Sequence, residues 1–216
     1  MRIDRAGYPF LAVPLVPAAI CMVAGLPLVA LPLTGLAIGV ALFFRDPDRC
    51  PPQAPEAVVS PADGRVLYAG AAGRQVAPPG DWLQLSIFLS PLDVHVNRVP
   101  IAGQVTRVEY APGSFLPAFR DGAAAANERN EIWLDHAGQT IVFRQIVGAL
   151  ARRVVCRVAN GARVQTGQRF GIMKFGSRMD LFLPTSATLV VSKGDRVRAG
   201  ETIVARLGGV MADGRN

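Results

Sequence analysis

Gly176 and Ser177 are the adjacent residues with the most distinctive chemical potential in this chain of 216 residues. A glycine before a serine leaves the peptide carbonyl without side-chain cover and lets the backbone adopt strained conformations. The serine hydroxyl can then attack that carbonyl, because the two groups are held close together. β-Elimination of the resulting ester would cut the chain and leave an N-terminal pyruvoyl group in place of Ser177. Taken alone, the pair is more commonly a turn that leads into a strand.

Three other segments combine polar residues in ways that suit catalysis. Residues 60–64 (SPADG) place Asp63 in a turn at the head of a strand, and residues 90–100 (SPLDVHVNRVP) place His95 after an apolar strand. Residues 127–131 (NERNE) follow a run of alanines. Each segment has an ordinary interpretation, namely a common Asp-Gly turn, a hydrogen-bonded core histidine and a solvated loop. Their joint occurrence ahead of Gly176 and Ser177 favours a catalytic interpretation.

The N-terminal part of the chain is apolar and uncharged. No side chain between residues 6 and 44 carries a charge, and the run divides at Gly25. At 1.5 Å per residue, residues 26–44 would span about 28 Å, close to the hydrocarbon core of a bilayer. Residues 10–24 form a shorter arm that contains Pro14 and Pro17.

The flanks of this run decide between its interpretations. A secretory signal is disfavoured because no small-residue cleavage site follows the run, and a buried core hairpin is the soluble alternative. Arg2 and Arg5 precede the run, and Arg45 and Arg49 follow it. Basic residues at both ends predict a membrane-associated hairpin whose two ends lie in the cytoplasm.

Charge and cysteine content limit the remaining function classes. The formal net charge is +7, but aromatic and basic residues are not interleaved as on nucleic-acid-binding surfaces. We therefore expect no nucleic acid partner and a basic domain that faces anionic lipid headgroups. The three cysteines are not paired at metal-binding spacing, and the chain has only two histidines. Neither a disulfide framework nor a metal site is expected.

The rest of the sequence is typical of β-structure. After a proline-rich connector at residues 50–55, short apolar runs alternate with glycine turns, a pattern that favours an all-β sandwich or barrel. Residues 160–168 and 192–201 form a weak repeat, in which a valine stands three residues from a glycine on either side. This form is similar to the flattened barrels that carry lipoyl and biotinyl groups. We predict a hydrophobic helical hairpin at residues 1–49 and a mainly β, barrel-sandwich-like catalytic domain at residues 50–216.

Together these features resemble the phosphatidylserine decarboxylases, in particular their short bacterial and archaeal form. The similarity covers the apolar hairpin and residues 60–64, 93–100, 127–130 and 175–178, and so nearly the whole chain. In that family the proenzyme cuts itself between the glycine and the serine. The resemblance implies a β chain of residues 1–176, an α chain of residues 177–216 and a covalent pyruvoyl cofactor formed from Ser177, with no metal. It also implies a lyase of phospholipid biosynthesis at the cytoplasmic face of the cell membrane, and a homodimer.

The resemblance assigns roles to individual residues of this sequence. The amine of phosphatidylserine would condense with the pyruvoyl ketone to form an imine, lose CO2 and leave as phosphatidylethanolamine. His95 is the candidate that protonates the reacting carbon, and Asp63 would orient His95 or help to activate Ser177 before cleavage. Weaker candidates would hold the phosphate or carboxylate of the headgroup: Asn127, Glu128, Arg129, Asn130 and Arg178.

One departure from the family pattern concerns the segment around His95. Longer bacterial members have two histidines here, and the second is assigned to self-cleavage together with an Asp and the Ser. This chain has Arg98 at the second position. Either His95 serves both steps, or another group deprotonates Ser177.

The alternative function is a membrane-tethered carrier or adaptor domain of the lipoyl or biotinyl type. Met173 and Lys174 are similar to the Met-Lys turn of biotin carriers, and the glycine repeat fits that fold. Carriers need no Asp-x-His segment, however, and this favours the decarboxylase. A metallopeptidase-type barrel ranks third, because two histidines cannot supply both its ligands and its base.

Overall fold

The computed structural model describes residues 2–118, 122–148, 154–174 and 176–208. Three helices occur in the described ranges: α1 (Tyr8–Val23), α2 (Pro27–Phe43) and α3 (Ala123–Ala126), with a 3-10 turn at Arg5–Gly7 ahead of α1. The strands are β1 (Arg2–Ile3), β2 (Arg45–Asp46), β3 (Ala57–Val59), β4 (Gly64–Ala71), β5 (Trp82–Leu89), β6 (Val96–Arg98), β7 (Gly103–Ala111), β8 (Arg129–His136), β9 (Gln139–Val147), β10 (Val154–Cys156), β11 (Arg163–Val164), β12 (Arg169–Met173), β13 (Ser177–Pro184), β14 (Thr188–Leu189), β15 (Arg196–Val197) and β16 (Ile203–Arg206).

The two N-terminal helices form a hairpin. Buried positions on α1 and α2 are mostly small, with Ala18 on the first helix and Ala30 and Ala37 on the second, which allows the helices to approach closely. Many of the larger apolar side chains face outward, and Val23 and Leu28 are 91% and 87% exposed. An outward-facing apolar surface of this kind fits a lipid environment.

The α-helices of the two arms are similar in length, with 16 residues in α1 and 17 in α2, whereas the sequence predicted a clearly longer second arm. With its 3-10 turn, the helical run Arg5–Val23 has 19 residues and is long and apolar enough to cross a bilayer, whereas Pro27–Phe43 is shorter. Pro9 stands in the first turn of α1. A proline there costs no hydrogen bond, because the first N–H groups of a helix have no intrahelical partner.

An antiparallel eight-stranded sheet is the scaffold of the rest of the chain. Its strand order is β11-β7-β8-β9-β13-β5-β4-β15. Side chains alternate between its two faces, so that Met179, Leu181 and Leu183 of β13 point into the apolar core. Two three-stranded sheets, β10-β12-β6 and β14-β16-β3, contribute to the same core through residues such as Phe170 and Val204. The predicted mainly β fold is confirmed.

The sequence repeat corresponds to the two ends of this sheet. β11 and β15 are its outermost strands, and their valines pair with glycines, Val164 with Gly103 and Val197 with Gly64. The repeat glycines at 161, 167, 194 and 200 all have φ between 74° and 101°, in the left-handed region that favours glycine. The repeat therefore marks tight corners, as the sequence indicated.

The base of the hairpin is attached to the β-structure by ion pairs between buried carboxylates and partly exposed arginines. Asp4 accepts hydrogen bonds of 2.6 and 2.7 Å from the guanidinium of Arg157. Asp46, in the strand β2 that follows α2, accepts a hydrogen bond of 2.8 Å from Arg169. Phe43 and Phe44 pack in one apolar cluster with residues of β6 and β12.

Candidate active site

Ser177 is the first residue of β13 and lies in the interior of the eight-stranded sheet. It pairs with Leu89 on β5 and with Val147 on β9, and it is fully buried. Its Oγ has no hydrogen-bond partner among the described residues. Because a buried polar group without a partner costs about 1–3 kcal/mol, this hydroxyl is a candidate for a reacting group.

Two glycines keep the peptide bond before Ser177 open. Gly176 has a φ of 75°, a conformation that a glycine adopts without strain. Gly148 follows β9 and approaches so closely that a Cβ there would stand 2.0 Å from the Gly176 carbonyl oxygen. The Gly176 carbonyl is thus free of side-chain cover on these sides, as attack by the Ser177 hydroxyl requires.

His95 is buried just before β6. Its Nδ1 lies 2.9 Å from the carbonyl oxygen of Asp93. Since a carbonyl only accepts hydrogen bonds, Nδ1 carries the proton and Nε2 presents a lone pair. Nε2 has no hydrogen-bond partner within the described ranges. The His95 carbonyl accepts a hydrogen bond of 3.2 Å from the Met173 N–H, which ties His95 to the strand that leads toward Gly176.

The hairpin covers His95. The ring centroids of Phe43 and His95 are 4.2 Å apart, so the last residue of α2 forms a wall of the site. Burial lowers the pKa of His95 from 6.5 to about 4, although the hydrogen bond to the Asp93 carbonyl opposes the change. His95 is therefore neutral at pH 7, and its Nε2 can accept a proton.

Asp63 lies at the same end of the sheet as Ser177, but its carboxylate binds Arg49 and the Ala199 N–H. Its Oδ2 is 2.9 Å from Arg49 Nη2, and its Oδ1 accepts a hydrogen bond of 2.7 Å from the Ala199 N–H. Among the described contacts, neither oxygen is bonded to His95 or Ser177. Burial raises the pKa of Asp63, while the Ala199 N–H and the Arg49 charge act in the opposite direction.

Arg98, which stands where longer members of the family that this chain resembles have a second histidine, points toward Asp46 and Pro47 at the base of the hairpin. It is buried and donates hydrogen bonds of 2.9 Å to the Gly167 carbonyl and 2.7 Å to the Pro47 carbonyl. Its Nη2 also lies 3.4 Å from Asp46. These contacts hold residues 46 and 47 against the β-structure, and a guanidinium does not act as a base at neutral pH.

Residues 127–130 do not form the solvated loop that is their ordinary interpretation. Asn127 is fully buried, and its side chain hydrogen-bonds both the N–H and the carbonyl of Leu116 and the carbonyl of Val147. Since Val147 pairs with Ser177, Asn127 braces the strand beside the candidate reacting group. Glu128 accepts a backbone hydrogen bond from Val147, Arg129 begins β8, and Asn130 is buried within that strand.

Arg178 lies on the opposite face of the sheet from Ser177, as consecutive strand residues do. Its Nε donates to Asp180 at 2.7 Å and its Nη2 to Ser86 at 2.9 Å. Arg178 also lines a cavity of about 410 Å³ together with Gln84 and Lys193. A role for Arg178 in headgroup binding remains a prediction, and it would act from this second face.

Comparison with known proteins identifies the family. A family model described as phosphatidylserine decarboxylase matches residues 36–205, a range that includes Asp63, His95 and Ser177. The chain belongs to the phosphatidylserine decarboxylase family. A phosphatidylserine decarboxylase proenzyme of Pelodictyon phaeoclathratiforme is 48% identical over 80% of this chain and 82% of that protein. The proenzyme of Symbiobacterium thermophilum is 44% identical over 95% of both chains.

Several residues at the site of this family member were not singled out from its sequence. Phe43 is the last residue of an apolar helix, and nothing in the sequence indicates that it contacts a histidine. Gly148 follows a long apolar strand, where a glycine is an ambiguous feature. Asn97 and Gln145 are fully buried polar residues, and only strand pairing reveals that they lie on the Ser177 side of the sheet.

Lys174, on which the carrier alternative depends, is half-buried, and its Nζ lies 4.7 Å from the centroid of the Phe10 ring. A carrier lysine must be exposed at the tip of a turn to be modified, so this position does not favour that alternative. Within the described ranges, no three His, Cys, Asp or Glu side chains come together as a possible metal site. The expectation that the enzyme needs no metal stays a prediction.

Proposed function

We propose that this chain is a proenzyme that cuts itself between Gly176 and Ser177 and then decarboxylates phosphatidylserine to phosphatidylethanolamine. The observation that carries the proposal is the buried Ser177 hydroxyl, which lies beside an open Gly176 carbonyl and has no hydrogen-bond partner among the described residues. Membership of the phosphatidylserine decarboxylase family supports the choice of substrate.

Self-cleavage begins when Ser177 Oγ attacks the Gly176 carbonyl carbon and displaces the Ser177 nitrogen. The peptide bond becomes an ester, and loss of the Ser177 α-proton then breaks the Cβ–O bond. The β chain leaves with a Gly176 carboxylate, and hydrolysis of the residue left at position 177 releases ammonia and produces a ketone. The products are residues 1–176 and residues 177–216. With its Nε2 lone pair, His95 is a candidate base for this step, because Arg98 cannot take the role of the second histidine.

The residues around Ser177 fit a pyruvoyl group formed from that serine. The position is buried, apolar side chains flank it at Leu89 and Val147, and Gly176 and Gly148 leave room at the carbonyl. The group supplies a ketone that binds the substrate amine and withdraws electrons from the carbon that loses CO2. A buried site protects such a reactive ketone from water.

His95 has the properties of a proton carrier in the decarboxylation. The amine of the substrate is protonated near neutral pH and must lose a proton before it can act as a nucleophile. The neutral Nε2 of His95 can accept that proton. Because burial disfavours the imidazolium, His95 readily returns the proton to the carbon from which CO2 has left. The proton count thus balances within one turnover.

The apolar hairpin supports a location at the membrane. The outward-facing side chains of α1 and α2 suit a lipid environment, and the β-structure follows directly after α2 in the chain. A substrate anchored by its acyl chains would then reach a site whose wall is the base of the hairpin at Phe43. The cytoplasmic orientation and the homodimer are part of the same proposal, on the basis of the flanking arginines and of the family resemblance.

Intact mass and lipid analysis test this function. The purified wild-type chain should consist of two pieces, and the smaller piece should resist Edman degradation because of its pyruvoyl end. It should convert serine lipid to ethanolamine lipid without any added cofactor. Ser177→Ala should remain one inactive chain, whereas Ser186→Ala, an exposed position in the same piece, should be cut and active. An uncut wild type with full activity would refute the proposal, and an uncut inactive chain would favour the carrier.

A further inference from the structure

Three residues of the β-structure, two of them in the candidate site, each have a buried polar atom without a partner among the described residues. Within the described ranges, His95 Nε2, Asn97 Nδ2 and Ser177 Oγ are buried and make no hydrogen bond. The mechanism proposed above uses His95 and Ser177 but gives Asn97 no role. A buried amide donor without a partner costs free energy of folding. We therefore expect Asn97 Nδ2 to donate a hydrogen bond to a bound ligand.

A chain of side-chain amides fixes the orientation of Asn97. Gln145 Nε2 lies 3.5 Å from the Val155 carbonyl oxygen, which can only accept, and 2.8 Å from Asn97 Oδ1. The other end of the Gln145 amide accepts a hydrogen bond of 3.3 Å from Asn130 Nδ2. Because Gln145 Nε2 is the donor to Asn97, Asn97 presents Oδ1 to Gln145, and its Nδ2 is left as a donor without a partner in the described ranges.

The register of the strands brings Asn97 to the reacting groups. Asn97 and His95 are two residues apart in an extended segment, so their side chains leave it on the same side. Gln145 pairs with Met179, and two residues further along each strand Val147 pairs with Ser177. The hydrogen bond from Gln145 therefore places the Asn97 amide on the Ser177 face of the eight-stranded sheet.

We propose that Asn97 Nδ2 donates a hydrogen bond to the carboxylate of the serine headgroup, and so makes Asn97 the residue that distinguishes substrate from product. The inference rests on the proposed function. His95 Nε2 offers an acceptor and Asn97 Nδ2 a donor, which are the complements of the ammonium and carboxylate of an α-amino acid. The product has lost the carboxylate and keeps only the contact with His95.

A neutral donor suits a carboxylate that must leave as CO2. An arginine would bind the charged ground state tightly, and that stabilisation would be lost in the transition state as the charge moves away. The nearby guanidinium of Arg98 is directed instead toward the Gly167 and Pro47 carbonyls. Asn97 can orient the carboxylate without adding this barrier.

Equilibrium binding to the cut enzyme tests the assignment independently of turnover. Borohydride reduction of the ketone gives an inactive enzyme, to which glycerophosphoserine and glycerophosphoethanolamine are titrated by calorimetry in detergent. Asn97→Ala should weaken glycerophosphoserine binding by about 10- to 100-fold, the range for a hydrogen bond to a charged group. Glycerophosphoethanolamine binding should be unchanged. Asn97→Asp, which has the same shape but no donor, should weaken serine headgroup binding at least as much.

Gln139 supplies a matched control, because it too has a buried atom without a partner in the described ranges but lies at the far end of β9. Gln139→Ala should bind both headgroups like the wild type. Equal loss of both headgroups in Asn97→Ala, or no loss of either, would overturn the inference. Failure of both Asn97 variants to cut themselves would also overturn it, since the amide would then act in maturation. An uncut or inactive wild type would overturn the proposed function, and this inference with it.

Discussion

Replacement of Phe43 with alanine should move the acid limb of the decarboxylation pH profile toward neutral pH. The Phe43 ring covers His95 at a centroid distance of 4.2 Å, and burial lowers the pKa of His95 to about 4. Without the ring, water can reach the imidazole, and the pKa of His95 should rise toward its usual value. Activity that depends on neutral His95 would then be lost at a higher pH.

The size of the effect follows from the two pKa values. A histidine with a pKa of about 4 is about 97% neutral near pH 5.5, whereas one with the ordinary pKa of about 6.5 is about 9% neutral there. A full return of the pKa would therefore lower kcat/KM near pH 5.5 by about tenfold relative to the plateau near pH 8. A partial return gives a smaller change in the same direction.

The assay is ethanolamine lipid formation in mixed micelles across the pH range. Phe43→Leu keeps apolar cover over His95 and should retain the acid limb of the wild type. Phe10→Ala, which removes a ring that lies 5.4 Å from Phe44, controls for general loosening of the hairpin and should also leave the limb in place. An unchanged acid limb in Phe43→Ala would refute the idea that the hairpin sets the pKa of His95.

Two further substitutions test the site and its attachment to the hairpin. Gly148→Ala would place a Cβ 2.0 Å from the Gly176 carbonyl oxygen and should slow self-cleavage at least tenfold on gels, an effect of about 1.4 kcal/mol on the barrier; Gly122→Ala, which meets no atom within 4 Å, should be cut normally. Arg157→Ala should destabilise the chain by about 2 kcal/mol at neutral pH in thermal unfolding, less than a fully buried pair because Arg157 is about one-third exposed. Burial alone would raise the pKa of Asp4, but the hydrogen bonds and charge of Arg157 help to lower it below 3.8. The difference should therefore be present above pH 3.8 and disappear as the pH falls through the lowered pKa.

The strands that can be recognised from the sequence are those whose apolar residues form a run within the strand itself. The apolar runs at residues 82–89 and 139–147 favour strands by their residue types alone, and they form β5 and β9. β8 was missed because Arg129 and Glu131 make its start look like a polar loop. Glu131 is buried against Arg144, its partner on β9, to which it forms an ion pair. Only the pairing of the two strands reveals why a charged side chain is acceptable there.

The residues of the candidate site also divide into those that the sequence reveals and those that it does not. The Gly176 and Ser177 pair and the segment around His95 stand out in sequence because their residue types are unusual for their surroundings. Asn97 and Gly148 do not stand out, because their importance depends on contacts with residues that are distant in the sequence. Gln145, for example, reaches Asn97 across 48 positions of the chain, and no short-range pattern encodes that contact.

Composition divides the chain near residue 49, but the contacts of the site cross that boundary. Phe43 lies on His95, and Arg49 binds Asp63. Asp46 forms ion pairs with Arg98 and Arg169 of the β-structure. The same side chains that attach the hairpin thus also determine the burial of His95 and the partner of Asp63. The hairpin is therefore part of the architecture of the candidate site, and a displacement of the hairpin would change the surroundings of the His95 imidazole.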